Sequence, residues 1–112
     1  MKNNHGILDL LFSFMCLNIL SGKWKLSILW HLSNKGIVRF NELQRLLSTV
    51  TQKTLTMQLR ELESDNIIYR KIYAEVPPKV EYGLTDLGES MRPILSSLCE
   101  WGKFYKQTTS NN

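Results

Sequence analysis

Gln52, Thr56 and Arg60 recur every fourth residue in TQKTLTMQLRELESD (residues 51–65), with Lys53 and Met57 beside them. In a helix, that spacing puts the three on one face. Such a face could recognise bases. Arg and Gln offer paired groups that match purine edges, and Thr or Met can touch a thymine methyl. No carboxylate interrupts the face before Glu61. The same pattern also fits an ordinary solvated face, and the helix alone does not separate the two readings.

The elements around these residues are legible. Thr51 is a good N-cap, since its hydroxyl can accept from an orphan backbone N–H. Leu55, Leu59 and Leu62 form the apolar stripe that would hold a recognition helix over 51–64. Asn66 can take the left-handed conformation that closes it. Ile67 to Glu75 is rich in β-branched and aromatic residues and reads as a strand, and Val80 to Leu84 reads as its return. Between them Pro77 and Pro78 lack N–H groups, so they belong at a tip rather than in a ladder. A helix followed by a hairpin carrying Arg70, Lys71 and Lys79 is the plan of a winged helix, with the wing at 67–85. There the helix enters the major groove and the wing lies along the backbone or in the minor groove.

Upstream, Asn41 is expected to cap a short helix with Leu43, Leu46 and Leu47 inward, which makes a helix-turn-helix with the stretch after Ser48–Thr51. Ile37–Phe40 is a third-strand candidate, and Asn34–Gly36 reads as a turn. Residues 23–32 read as a helix with Lys25, Ile28, Leu29 and Leu32 on one side, and with Trp24 and Trp30 as packing residues. Neither His5 nor His31 has a ligand partner at helical spacing, so both read as structural or solvated.

The two ends of the chain carry more apolar surface than one small domain needs. Residues 7–20 are apolar nearly all round, so one side is expected against the domain's own core and the other against a second chain. Thr85 is expected to cap one long helix over 86–106 that Pro93 bends, and 108–112 reads as a disordered tail. Together the two helices are expected to make a homodimer through Leu8, Leu11, Phe12, Met15, Leu98, Trp101, Phe104 and Tyr105.

A chain of 112 residues with 43% hydrophobic content supports one globular domain rather than disorder. Net charge is +4, and its placement matters more: seven cations fall between residues 37 and 79, whereas residues 80–112 carry more acid than base. That bias favours a polyanion partner, double-stranded DNA here. Lys2 before an apolar run resembles a signal peptide, but Asp9 interrupts the run and no small-residue cleavage site follows. The run is also too short to span a bilayer. The expectation is a cytoplasmic protein without membrane contact. No phosphate-cradling Gly loop, nucleophile elbow or metal cluster occurs, and Glu61 and Glu63 do not share a helical face, so no enzyme and no cofactor are expected. Cys16 and Cys99 fit neither a disulfide scaffold nor a zinc motif. Both are expected to pack, Cys16 with no Lys, Arg or His within a turn to activate it. An intersubunit disulfide is the alternative, because both cysteines lie on the expected dimer helices.

Four blocks carry a resemblance: GKWKLSIL at 22–29, RFNELQRLL at 39–47, TQKTLTMQLRELESD at 51–65 and YAEVPPKVEYGLTDLG at 73–88. In order and spacing the chain resembles the HxlR-type winged-helix transcriptional regulators, relatives of the MarR group, over roughly residues 16 to 104. The resemblance implies an α+β, mostly α fold: a winged helix-turn-helix with added terminal dimerisation helices. It also implies a small dimeric bacterial regulator of operator DNA. Arg39 matches the arginine of the second block, which implies a phosphate contact there, against a salt bridge to a neighbouring acid. Redox-sensing members carry a cysteine near the domain start, commonly before Pro. Here Leu11–Phe12 falls near that place. The expected function is sequence-specific DNA binding, with a protein-interaction module that binds DNA weakly as the alternative. No effector is legible.

Overall fold

The computed structural model describes residues 6–110, so the expectations for His5, Asn111 and Asn112 fall outside it. Six helices and three strands follow in the order α1 (Ile7–Leu20), α2 (Lys25–Lys35), β1 (Val38–Arg39), α3 (Phe40–Leu47), α4 (Gln52–Ser64), β2 (Ile68–Tyr73), β3 (Lys79–Leu84), α5 (Asp86–Glu89) and α6 (Arg92–Ser110). The fold is a winged helix-turn-helix, mostly helical, with a small antiparallel sheet in the order β1–β3–β2.

The core sits where the sheet meets α2, α3 and α4. Leu55, Leu59 and Leu62 are almost completely buried against Ile28, Leu29, Leu32, Leu43 and Ile68. Each buried leucine stabilises the fold by about 1.5–3 kcal/mol relative to exposure. Thr51 accepts a hydrogen bond from the Thr54 amide at 3.1 Å, as its cap role requires. Asn66 turns the chain out of α4 at φ 61°.

The wing is the β2–β3 hairpin, paired from Ile68↔Leu84 to Tyr73↔Lys79. That register leaves residues 74–78 as the tip, with Pro77 and Pro78 in it and a cis Val76–Pro77 peptide. The third strand forms, but it is shorter than Ile37–Phe40. Only Val38 and Arg39 pair, with Tyr82 and Glu81. The pairing leaves Arg39 extended as the residue before α3, so the helix begins at Phe40 and Asn41 lies inside it rather than capping it. The expected turn at Asn34–Lys35 is also helical. Asn34 Nδ2 donates to the Trp30 carbonyl at 2.9 Å, and the helix stops at Gly36.

Thr85 does not cap one long helix. Its hydroxyl donates to the Asn66 carbonyl at 2.7 Å and accepts from the Gly88 amide at 3.0 Å, which ties the short α5 to the end of α4. Gly88 is required there, because a Cβ would run into the Ile67 carbonyl oxygen. The chain then breaks at Ser90–Met91 and restarts as α6. Pro93 therefore stands in the first turn, where no N–H is needed, and does not bend a helix. The expected disordered tail is corrected too. Thr108, Thr109 and Ser110 continue α6, with the Thr109 and Ser110 hydroxyls bonded back to the carbonyls of Tyr105 and Lys106.

No residue of α1 is buried, and only Ile19 and Leu20 pack on the core. The expectation that one side of this helix enters its own domain is therefore wrong, since α2 leaves it at an angle of 78°. Among the described residues, no single helix is long and apolar enough to cross a membrane.

Candidate nucleic-acid interface

Between α4 and the wing lies an open groove of about 530 Å³. Gln52, Thr56 and Arg60 form its helix wall, Arg39 and Asn41 its floor at the start of α3, and Arg70, Pro77, Pro78 and Lys79 its wing wall. The structure thus brings together eight of the expected contact and wing-tip residues: Arg39, Gln52, Thr56, Arg60, Arg70, Pro77, Pro78 and Lys79. Lys53 and Met57 stand on the exposed flank of α4 outside the groove, and Lys71 stands exposed on β2.

The ion pairs sort the cations. Arg70 Nε lies 3.3 Å from the Glu63 carboxylate, fastening β2 to α4. Lys79 Nζ stands 3.9 Å from both Glu75 and Glu81 and 4.1 Å above the Tyr73 ring, so its charge is held by the wing itself. Glu63 and Glu81 are thereby engaged, and Arg60 pairs with neither. Among the described residues, Arg39, Lys53, Arg60 and Lys71 make no ion pair. Lys71 has only the Tyr73 ring, at 4.9 Å. These four cations are free to meet phosphate or base edges, and Arg39 takes no neighbouring acid.

Behind the groove Tyr82 is buried beneath Arg60 and Arg70. Burial raises its phenol above the ordinary value; Arg70 lowers it, Glu63 raises it and Arg60 lowers it again. Tyr82, Phe40 and Asn41 also line the groove and were not among the expected DNA contacts. The one signal for Tyr82 was its alternation with Val80 and Leu84 on the inward side of β3.

The apolar ends remain open. Leu8, Leu11, Phe12 and Met15 on α1 are each at least half exposed, as are Trp101, Phe104 and Tyr105 on α6, with Leu98 close to half. The Trp101 and Tyr105 rings stack at 5.4 Å.

Comparison with known proteins agrees with this geometry. Residues 19–110 match the family model described as HxlR-like helix-turn-helix. An HTH-type transcriptional regulator of Halalkalibacterium halodurans is 51% identical over 86 residues, covering 77% of this chain and 76% of that protein. The structure of the redox regulator HypR in its reduced form superposes with a TM-score of 0.82 at 41% identity, covering 89% of this chain and 98% of that one. The structure described as a MarR-family transcriptional regulator of Enterococcus faecalis gives 0.78 at 38% identity, covering 100% and 96%.

Proposed function

The chain belongs to the HxlR-like helix-turn-helix family of transcriptional regulators, and from that premise we propose that it binds operator DNA sequence-specifically, as a homodimer in the cytoplasm. One observation carries the reading: the polar face of α4 opens into a groove with Arg39 and the wing, and its cation Arg60 has no acid partner among the described residues. Gln52 and Thr56, at the start of α4, read base edges, and Arg39, Lys53, Arg60 and Lys71 meet phosphates or bases. A recognition face turned to a protein partner would gain nothing from so many unpaired cations.

Exposed surface supports the dimeric part of the reading. Proteins that stay monomeric rarely expose apolar surface on the scale seen on α1 and again on the outer half of α6. A second copy covers them through Leu8, Leu11, Phe12 and Met15 on α1 and Leu98, Trp101, Phe104 and Tyr105 on α6. Two-fold symmetry then sets two recognition helices on one side of a duplex. Selection of binding sites from random DNA, followed by shift assays on the recovered sequences, tests the reading. Recovery of an inverted repeat supports it, and failure to enrich any sequence overturns it.

A further inference from the structure

Two buried polar side chains, Gln58 on α4 and Lys25 on α2, take no part in the interface described above. Gln58 is 6% exposed, and its Oε1 has no hydrogen-bond partner among the described residues. Its carboxamide fills the space into which a side chain on Gly22 would project, and Gly22 stands at φ 116°, in the region that favours glycine. Three residues on, Lys25 opens α2. It is 4% exposed, and its ammonium lies 2.7 Å from the half-exposed Glu61 carboxylate. Gln58 and Glu61 are one turn apart on α4, and Gly22 and Lys25 are equally spaced across the elbow between α1 and α2. Elbow and recognition helix therefore meet at two points, one a close packing contact of Gln58 on Gly22 and the other the Lys25–Glu61 ion pair.

A lysine and a glutamine buried here are weak sources of stability, because desolvation opposes what the contacts return. Their use lies in direction. A buried ion pair is satisfied only in one geometry, and the Gln58 carboxamide packed on Gly22 fixes how closely the two elements approach, whereas an apolar contact tolerates sliding. The α1 arm has no buried residue of its own and leaves the body at this elbow, where Ile19 and Leu20 pack on the core and Gly22 and Lys25 touch α4.

We propose that Gln58 and the Lys25–Glu61 pair are positioning residues that fix the α1 arm relative to the recognition helix, and so the separation of the two recognition helices in the dimer. The proposal rests on the dimeric DNA-binding reading above. It predicts that these side chains govern half-site spacing, not affinity for a single half-site.

The test uses the selected operator and versions with one or two base pairs added between half-sites, each moving the second half-site by about 3.4 Å. Wild type, Lys25→Met, Gln58→Met and Glu61→Gln are compared by shift assay, melting and sedimentation. Wild type is expected to lose about tenfold or more in affinity on the altered spacers. The variants are expected to stay folded and dimeric, to bind an isolated half-site like wild type, and to bind all spacers within about threefold of one another. Glu61→Gln touches the pair from its solvent side and reads the same contact where a core substitution disturbs folding. Variants that retain the wild-type spacing preference overturn the proposal, as does an equal loss on every spacer and on the half-site. A wild type with no spacing preference removes the dimeric reading instead, and this proposal with it.

Discussion

Arg70 on β2 and Glu63 on α4 face each other at 3.3 Å, and this pair binds the wing to the recognition helix. The second Glu63 oxygen is buried without a hydrogen-bond partner among the described residues, so the carboxylate depends on the guanidinium. Removing Arg70 strands that charge. Arg70→Ala is expected to cost about 1–3 kcal/mol in urea unfolding, the range for a lost hydrogen bond to a charged group. A cycle with Glu63→Ala should give a coupling of at least ~0.5 kcal/mol. Additive losses would show that wing and helix are held only by the strands.

Base reading and backbone binding should separate by mutation. Gln52→Ala is expected to lower discrimination between operator and random DNA by about 1–3 kcal/mol, as for a lost bidentate contact, and Thr56→Ala by less. Lys71→Ala is expected to weaken both DNAs alike and to reduce the salt slope by about one. Lys79→Ala should do less than Lys71→Ala, because Glu75 and Glu81 already hold its charge. Titrations at several salt concentrations check this. Equal losses on operator and random DNA for all four variants would refute the division.

Much of the candidate site was legible because its signals are local. The Leu55–Leu59–Leu62 period, the Thr51 cap and the Pro77–Pro78 break each act within a few residues, and each appears where the spacing puts it. What was not legible depends on contacts distant in sequence. Thr85 looks like the cap of one long helix until its hydroxyl is seen bound to Asn66. Lys25 looks misplaced in an apolar stripe until Glu61 arrives from another helix. Lys79 looks like a free wing cation until the β2–β3 register sets the Tyr73 ring beneath its ammonium.

The exposed apolar helices make oligomeric state a direct check. Sedimentation should show a dimer at micromolar protein, and selected operators should be imperfect inverted repeats with half-site centres roughly one helical turn, ~34–36 Å, or a multiple apart. Phe12→Glu and Trp101→Glu place a charge on each face, and both are expected to shift the chain to monomer and to weaken operator binding far more than half-site binding. A monomer with full operator affinity would sink the dimeric reading.

Alkaline titration reports on the packing behind the groove. Burial raises the Tyr82 phenol, with Arg70 and Arg60 pulling it down and Glu63 adding to the rise. The folded chain therefore holds this proton more tightly than the unfolded chain does. The resulting stability is complete below the unfolded-state value of about 10 and is lost as pH rises through the higher folded-state value. Phenolate absorbance should show a step above the ordinary tyrosine range, and Tyr82→Phe should abolish that late step. Loss of an earlier step instead would place Tyr82 in a more open setting.

The thiols bear on control of binding. Cys16 is half-buried on α1, between apolar neighbours and without a basic residue within a turn. Cys99 departs from the packing role expected of it: it is exposed, beside a cleft of about 200 Å³ between α2 and α6 that Trp30, Ser33 and Arg92 also line. Arg92 lines the same cleft and Lys103 lies one turn on along α6, but the Arg92 guanidinium is committed to Glu89 and, at 2.8 Å, to the Ser33 carbonyl, and the Lys103 ammonium lies 3.4 Å from Glu100. A thiolate is the form that attacks peroxide or a disulfide, and neither site favours it through a free positive charge. Neither cysteine lies in the groove, so oxidation could reach DNA binding only by way of the helices proposed for the dimer. Mild peroxide or diamide is therefore expected to change operator affinity by less than about twofold. Shift assays with and without oxidant, on wild type, Cys16→Ser and Cys99→Ser, decide the matter. A rapid loss of binding that reductant restores, and that vanishes in either variant, would show instead that these two cysteines sense redox state, through a disulfide across the dimer.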